Sequence, residues 1–249
     1  MKEDTISLIQ QFKIIQNSGW IPSMRKGPGG CGYTFEKLIG KNENNFEIPD
    51  FGTIEIKTRF SKTNTPISLF TASPDGDIVY PIETLQHEYG YPDKEYPQFK
   101  VLNIEVFATK YTVLGVDKLF KLEVDRNNEV VRLNAIYKGK NESYITWSFY
   151  ILEKKLQSKL EYIALILADY NYIKGKSYYK YNSISFYQLR GFKTFISLIE
   201  QGKISIKFKI GVFKSGKRFG KRHDRGTAFS IYMQDFDSLY KKINIEEFC

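Results

Sequence analysis

The segment Ile48 to Phe60, IPDFGTIEIKTRF, constrains this chain more than any other. Its second half alternates: Ile54 and Ile56 on one side, Glu55 and Lys57 on the other, the period of a strand with one face on a core. Pro49 and Gly52 bracket Asp50 with turn residues, so Asp50 sits in a bend that leads into the strand. A lysine beside two carboxylates, on a strand that is apolar on its other face, is odd for stability and useful for chemistry. Two carboxylates suit Mg²⁺, which keeps several of its waters and takes one or two protein carboxylates. An ammonium beside them can orient a water and offset negative charge in a transition state.

Upstream, Gly27 to Gly40 (GPGGCGYTFEKLIG) reads as a glycine-rich loop opening a short helix that carries Glu36. A third carboxylate thus precedes the strand. Glu36, Asp50, Glu55 and Lys57 follow the D-x(n)-E-x-K arrangement of Mg²⁺-dependent nucleases with an added helix glutamate. The pair of segments GGCGYTFEKLIG and PDFGTIEIKTR, with Trp20 ahead of them, resembles the signature of the MvaI/BcnI family of type II restriction endonucleases, and most closely its MvaI branch. That family is related to the mismatch-repair nicking enzyme MutH. The close match covers roughly residues 19 to 60; the remainder agrees in length and character.

The resemblance implies a PD-(D/E)xK restriction-endonuclease-like, MutH-like core, a mixed sheet flanked by helices, with two lobes around a DNA cleft. It implies Glu36, Asp50, Glu55 and Lys57 as the catalytic set. Asp50, Glu55 and the Ile56 carbonyl would hold one or two Mg²⁺ ions. It further implies a monomer that cuts double-stranded DNA one strand at a time at a CCNGG-type site, CC^WGG for the MvaI branch. A cognate DNA methyltransferase would then be a functional rather than a physical partner. MutH-like sites also take a basic residue from a neighbouring strand, and Lys100 at the head of FKVLNIEV is the expected one; His87, in HEYGY, is expected to be structural.

The net charge of +9 and the pI near 9.2 favour a polyanionic partner. Basic residues concentrate between Lys203 and Arg225, where Asp224 is the one acid. Ser205 to Phe213 alternates Ile206, Phe208, Ile210 and Val212 against Lys207 and Lys209, and Phe229 to Met233 alternates again. The tract between, KSGKRFGKRHDRG, reads as a β-hairpin tip of the kind that fits the major groove. Arg218, Arg222 and Arg225 are candidates for guanine, because a guanidinium reaches O6 and N7 together. Lys207, Lys209, Lys214 and Lys217 are candidates for phosphates, His223 for guanine or a phosphate, and Asp224 for cytosine N4 or for support of Arg225.

Several other classes fall away. GVFKSGKR, Gly211 to Arg218, lacks the hydroxyl residue of a phosphate-binding loop, and Gly27, Gly29, Gly30 and Gly32 are wrongly spaced for a dinucleotide fold. Cys31 and Cys249 are too few for a disulfide scaffold or a zinc site. With no signal-like N-terminus and no run of about 18 apolar residues, the expected location is the cytoplasm, without membrane. Two readings of other kinds compete: a DNA-binding module with a vestigial metal site, and an RNA-binding protein that stacks bases on its 18 tyrosines. A repair nicking enzyme shares the catalytic residues.

Along the chain we expect a helix over residues 4–18, the Glu36 helix, the strand at 54–60 and a helix at 81–89. A β-rich stretch over 101–150, a long amphipathic helix over 152–170, a strand at 178–186 and a helix at 187–200 follow. Strands and helices mix without a βαβ rhythm, which favours α+β. The expected division is a nuclease lobe over 1–170 and a DNA-recognition lobe over 171–249.

Overall fold

The structure, a computed structural model, describes residues 2–27, 29–41, 48–77, 80–224 and 226–245. The chain begins α1 (Lys2–Asn17), β1 (Ile21–Pro22), α2 (Gly30–Leu38), β2 (Ile54–Phe60), β3 (Ile67–Thr71) and α3 (Pro81–Tyr89). A run of strands follows: β4 (Tyr91–Pro92), β5 (Lys100–Val106), β6 (Thr112–Leu114), β7 (Lys118–Asp125), β8 (Val130–Tyr137) and β9 (Lys140–Ser148). Then come α4 (Phe149–Lys159), β10 (Tyr162–Ile173), β11 (Lys176–Leu189), α5 (Phe192–Glu200) and β12 (Ile204–Val212). A 3₁₀ turn (Gly216–Arg218), β13 (Arg222–Asp224), β14 (Ala228–Ile231), α6 (Met233–Leu239) and β15 (Tyr240–Lys242) complete it.

These elements form two compact units, both discontinuous in sequence: residues 1–67, 155–191 and 236–249, and residues 68–154 and 192–235. The expected boundary at 170/171 therefore does not exist. It would cut the β10–β11 hairpin, whose register runs from Tyr162↔Gln188 to Ile173↔Lys176. The expected division failed because strand pairing, which no local pattern reveals, returns residues 176–189 and 240–242 to the first unit.

The first unit is built on a sheet of order β1-β11-β10-β2, with β15 also on β11. β2 is an edge strand and lies parallel to β10, Glu55 opposite Ile163 and Lys57 opposite Leu165. One sheet face carries Ile54, Ile56, Ala164, Ile166 and Tyr181, and α1 and α2 cover it with Leu8, Phe12, Ile15 and Phe35. On the other face Tyr187, Phe236 and Tyr240 pack ring to ring, centroids 5.0 and 4.7 Å apart.

The long helix expected over 152–170 is a correction. It ends at Lys159, and Tyr162–Ile173 is the central strand β10. Residues 162–168, YIALILA, are buried on both faces, so they form one apolar run rather than an alternation, and such a run does not distinguish a buried strand from a helix. The second unit holds a six-stranded sheet, β3-β14-β12-β5-β4 with β13 on β12, and a four-stranded antiparallel sheet β6-β7-β8-β9. Trp147 anchors it, fully buried against Phe229 and Phe208 and donating its indole N–H to the Ala72 carbonyl at 3.0 Å.

Candidate active site

The turn before β2 is built so that a carboxylate lands on the strand's open edge. Gly52 has φ +55°, and a Cβ there would press on the Asp4 carboxylate, so the position favours glycine on two counts. Asp4 in turn accepts from the Thr53 N–H at 3.1 Å and its hydroxyl at 2.9 Å. Phe51 and Ile54 exchange both backbone hydrogen bonds, closing the turn. Asp50 then accepts the Ile56 N–H on Oδ2 at 2.9 Å, while Lys41 donates to Oδ1. In a parallel strand a residue's N–H and C=O point the same way, so the Ile56 carbonyl also faces the edge away from β10.

Glu55 points to the opposite face from Ile54 and Ile56. It is 3 % exposed, and Lys57 donates to its Oε1 at 2.8 Å. Its Oε2 is buried without a hydrogen bond, the Lys159 Nζ standing 3.5 Å away. Gly32 lets α2 lie close to β2, since a Cβ there would stand 3.1 Å from Thr58 Oγ1, and Glu36 follows one turn later. Burial pushes the Glu36 carboxyl above the usual range; Lys41 opposes this, Glu55 adds to it, and Lys159 and Lys57 oppose it. Burial likewise pulls the Lys41 ammonium down, against the attraction of Glu36 and Glu55. Three carboxylates and three ammonium groups thus form one electrostatic cluster.

Among the described residues no three His, Cys, Asp or Glu side chains gather closely enough to be a metal cage by themselves. The donor set nonetheless suits a hard cation that needs only one or two carboxylates: Asp50, Glu55 with its unbonded buried oxygen, and the Ile56 carbonyl.

The sequence profile of the MvaI/BcnI restriction endonuclease family matches residues 9–240. The chain belongs to that family. It is similar to the solved structure of the restriction endonuclease MvaI in complex with a cognate DNA substrate, at 34% identity over 96% of each chain with a TM-score of 0.87. To MvaI in the absence of DNA the identity is 33% over 98% of each chain and the TM-score 0.60. Among curated proteins none matches the chain. Its fold is accordingly a restriction-endonuclease fold of mixed α and β content, and its activity that of a type II site-specific deoxyribonuclease.

For a member of this family, the structure adds two lysines that sequence reasoning missed. Lys41 follows Glu36 by one turn because α2 closes through Gly40 (φ +80°), with the Lys41 N–H donating to the Glu36 carbonyl at 2.9 Å. Lys159 is the last residue of α4, just ahead of the strand that lies parallel to β2; the mistaken 152–170 helix hid it. Lys100, expected as the additional base, lies in the other compact unit, where its Nζ donates to the His87 carbonyl at 2.5 Å. His87 is exposed on α3 and pairs with Glu88.

The basic tract does form a hairpin, β12 against β13 with Ile210↔Asp224 and Val212↔Arg222. Its cations are less free than charge counting implies. Lys207 pairs with Glu105 at 3.2 Å, inside a network in which the Ser205 and Tyr232 hydroxyls also donate to Glu105. Lys214 lies 2.9 Å from Asp93 and 3.2 Å from Glu95, and Arg222 2.6 Å from Glu83. Lys209, Lys217 and Arg218 are exposed. The His223 ring stacks on Phe213 at 4.2 Å, and the Arg218 guanidinium lies 5.5 Å from the Phe213 ring centroid. Asp224 accepts from the Gly226 N–H at 2.8 Å. Arg225 lies outside the described residues, as does Cys249; Cys31 is buried with a free thiol pushed up to about 11 by burial.

Proposed function

We propose that the chain hydrolyses double-stranded DNA at a CCNGG-type site, CC^WGG in particular, with Mg²⁺ as cofactor, one strand at a time and as a monomer. The observation that carries this reading is the docking of Asp50 on the Ile56 N–H beside a buried Glu55 that Lys57 holds. A Mg²⁺ ion held by Asp50, Glu55 and the Ile56 carbonyl would stabilise the charge that develops on the scissile phosphate and acidify a water near it. Lys57 orients the attacking water and opposes the same charge from the protein side. Glu36 would complete the site through a water or a second metal ion. In-line attack on phosphorus breaks the P–O3′ bond, so the products carry a 5′-phosphate and a 3′-hydroxyl.

The choice of site follows the likeness to MvaI, whose solved complex holds its cognate DNA. In the second unit Arg218, Arg222 and Arg225, with His223 and Asp224, are the proposed base readers; Lys209 and Lys217 take phosphates. Lys207 and Lys214 brace the hairpin through Glu105, Asp93 and Glu95. Lys41 and Lys159 keep the carboxylates balanced. A cognate methyltransferase would protect the host's own sites. A cytoplasmic location accords with this role; among the described residues no helix is long and apolar enough to cross a membrane.

The test is digestion of unmethylated plasmid by the purified protein with Mg²⁺ or with EDTA, beside Lys57→Ala, followed by sequencing of the ends. Discrete fragments with CC^WGG ends, absent for Lys57→Ala, are the expected result. Cleavage elsewhere refutes the site. Intact plasmid refutes autonomous cleavage and leaves a repair nickase or a binding module.

A further inference from the structure

The β10–β11 hairpin runs on past the strands that flank it. β2 accompanies β10 only to Phe60 opposite Ala168, and β1 reaches β11 only at Tyr178 and Tyr179, with the Ser23 N–H on the Ser177 carbonyl beyond them. Every residue from Tyr170 to Lys176 is exposed, including Tyr170 at 50 %, Tyr172 at 62 % and Ile173 at 44 %. At the base Tyr170 packs on Phe60 and Tyr179 with centroids 5.6 and 6.1 Å apart. At the tip Lys174 (φ +48°) and Gly175 (φ +79°) make the two-residue turn that matches strand twist.

The same Lys-Gly turn joins β8 to β9, so turn chemistry alone explains the residue pair there. The β10–β11 end differs in what surrounds the turn. Lys174, Lys176 and Lys180 stand on the hairpin, Arg25 and Lys26 on the segment bonded to it, and Asp169 is the one acid of residues 169–180. A bare strand edge with exposed tyrosines invites aggregation unless something polar covers it, and a cationic two-stranded end matches a polyanion.

We propose that this hairpin end is a second DNA-holding element, on the unit that carries the carboxylates, in which Lys174 and Lys176 take phosphates of the duplex outside the target sequence. This rests on the DNA-cutting reading above and adds a contact to it. Leu165 stands opposite Lys57, and from there to Lys174 the strand extends about 30 Å at about 3.3 Å per residue. That equals about nine base-pair steps, farther than a CCNGG-type site reaches from its own scissile bond.

The experiment measures binding in EDTA by fluorescence anisotropy across a salt series, for the wild type and a Lys174→Gln/Lys176→Gln double variant. One duplex carries long flanks and the other is trimmed to the target with a few flanking pairs. On the long duplex the slope of log K against log[salt] should fall in magnitude by about 1.8 in the variant, about 0.9 for each phosphate lost. On the trimmed duplex the two proteins should bind alike. Equal slopes on the long duplex, or an equal loss on both, would overturn the proposal. A measurement on the wild type stands independent of variant folding: long duplex should slow acetylation of Lys174 and Lys176 several-fold, and unprotected lysines refute the contact. A protein that binds no duplex at all would instead sink the nuclease reading, and this contact with it.

Discussion

Glu55→Gln decides how the candidate site is balanced. If its carboxylates mainly repel one another, as in sites that trade stability for function, removing one charge stabilises the fold. The geometry argues the reverse. Glu55 is 3 % exposed and touches two ammonium groups, Lys57 at 2.8 Å and Lys159 at 3.5 Å. Removing one partner of a buried ion pair costs about 3–5 kcal/mol. Here the lysine side chains are 19 % and 31 % exposed, so water relieves part of the loss, and glutamine keeps the shape without a cavity. We therefore expect a cost of about 2–3 kcal/mol, within the range for a broken buried pair after screening. For a chain of this length that corresponds to a melting point lower by roughly 5–10 °C. The assay is thermal unfolding in EDTA, followed by a Mg²⁺ titration. Wild type should gain stability as the ion binds, by about 2.7 kcal/mol at a hundredfold excess over Kd, and the variant should gain much less. A variant that melts at or above the wild type in EDTA refutes the claim that lysines neutralise the site.

Glu36→Gln should act in the opposite direction. Burial raises the Glu36 carboxyl's pKa, so its contribution favours folding below the unfolded pKa and is lost as pH rises through the folded one. In EDTA the variant should therefore melt above the wild type at neutral pH, with the gap closing as pH falls into the carboxylate range; a pH series of melting curves checks this. Gly52→Ala forces a side chain into a φ of +55° and against the Asp4 carboxylate, and should cost about 1–3 kcal/mol, with cleavage impaired through a misplaced Asp50, as denaturant melts and a cleavage assay will show. Lys207→Ala should lower stability, by breaking the Glu105 network, and leave the salt slope of DNA binding unchanged. A slope reduced by about 0.9 would restore it as a phosphate contact.

The site was legible wherever function sits in local pattern. Alternation placed Glu55 and Lys57 on one face of β2, and turn residues placed Asp50 before it; both are short-range consequences of backbone geometry. Lys41 and Lys159 were not legible, because their neighbours are brought by a helix end and by a parallel strand far away in sequence. The same blindness to pairing misplaced residues 160–170, whose apolar run fits either a helix or a doubly covered strand, and set a boundary inside a hairpin. Charge counting overstated the freedom of Lys207, Lys214 and Arg222, since Glu83, Asp93, Glu95 and Glu105 come from outside the tract.

The parallel pairing of β2 with β10 also sets a biosynthetic order. Ile54 waits for Tyr162, about a hundred residues later, before its strand has a partner, and β11 is not complete on its edge until β15 at Tyr240–Lys242 has emerged. At a synthesis rate of roughly 5–20 residues per second, Glu55 exists for about 5–20 s before Lys159 can reach it. An N-terminal fragment that stops before Lys159 lacks one of the cluster's three lysines. The full cluster of acid and base is therefore assembled only after Lys159, when most of the polypeptide has been made.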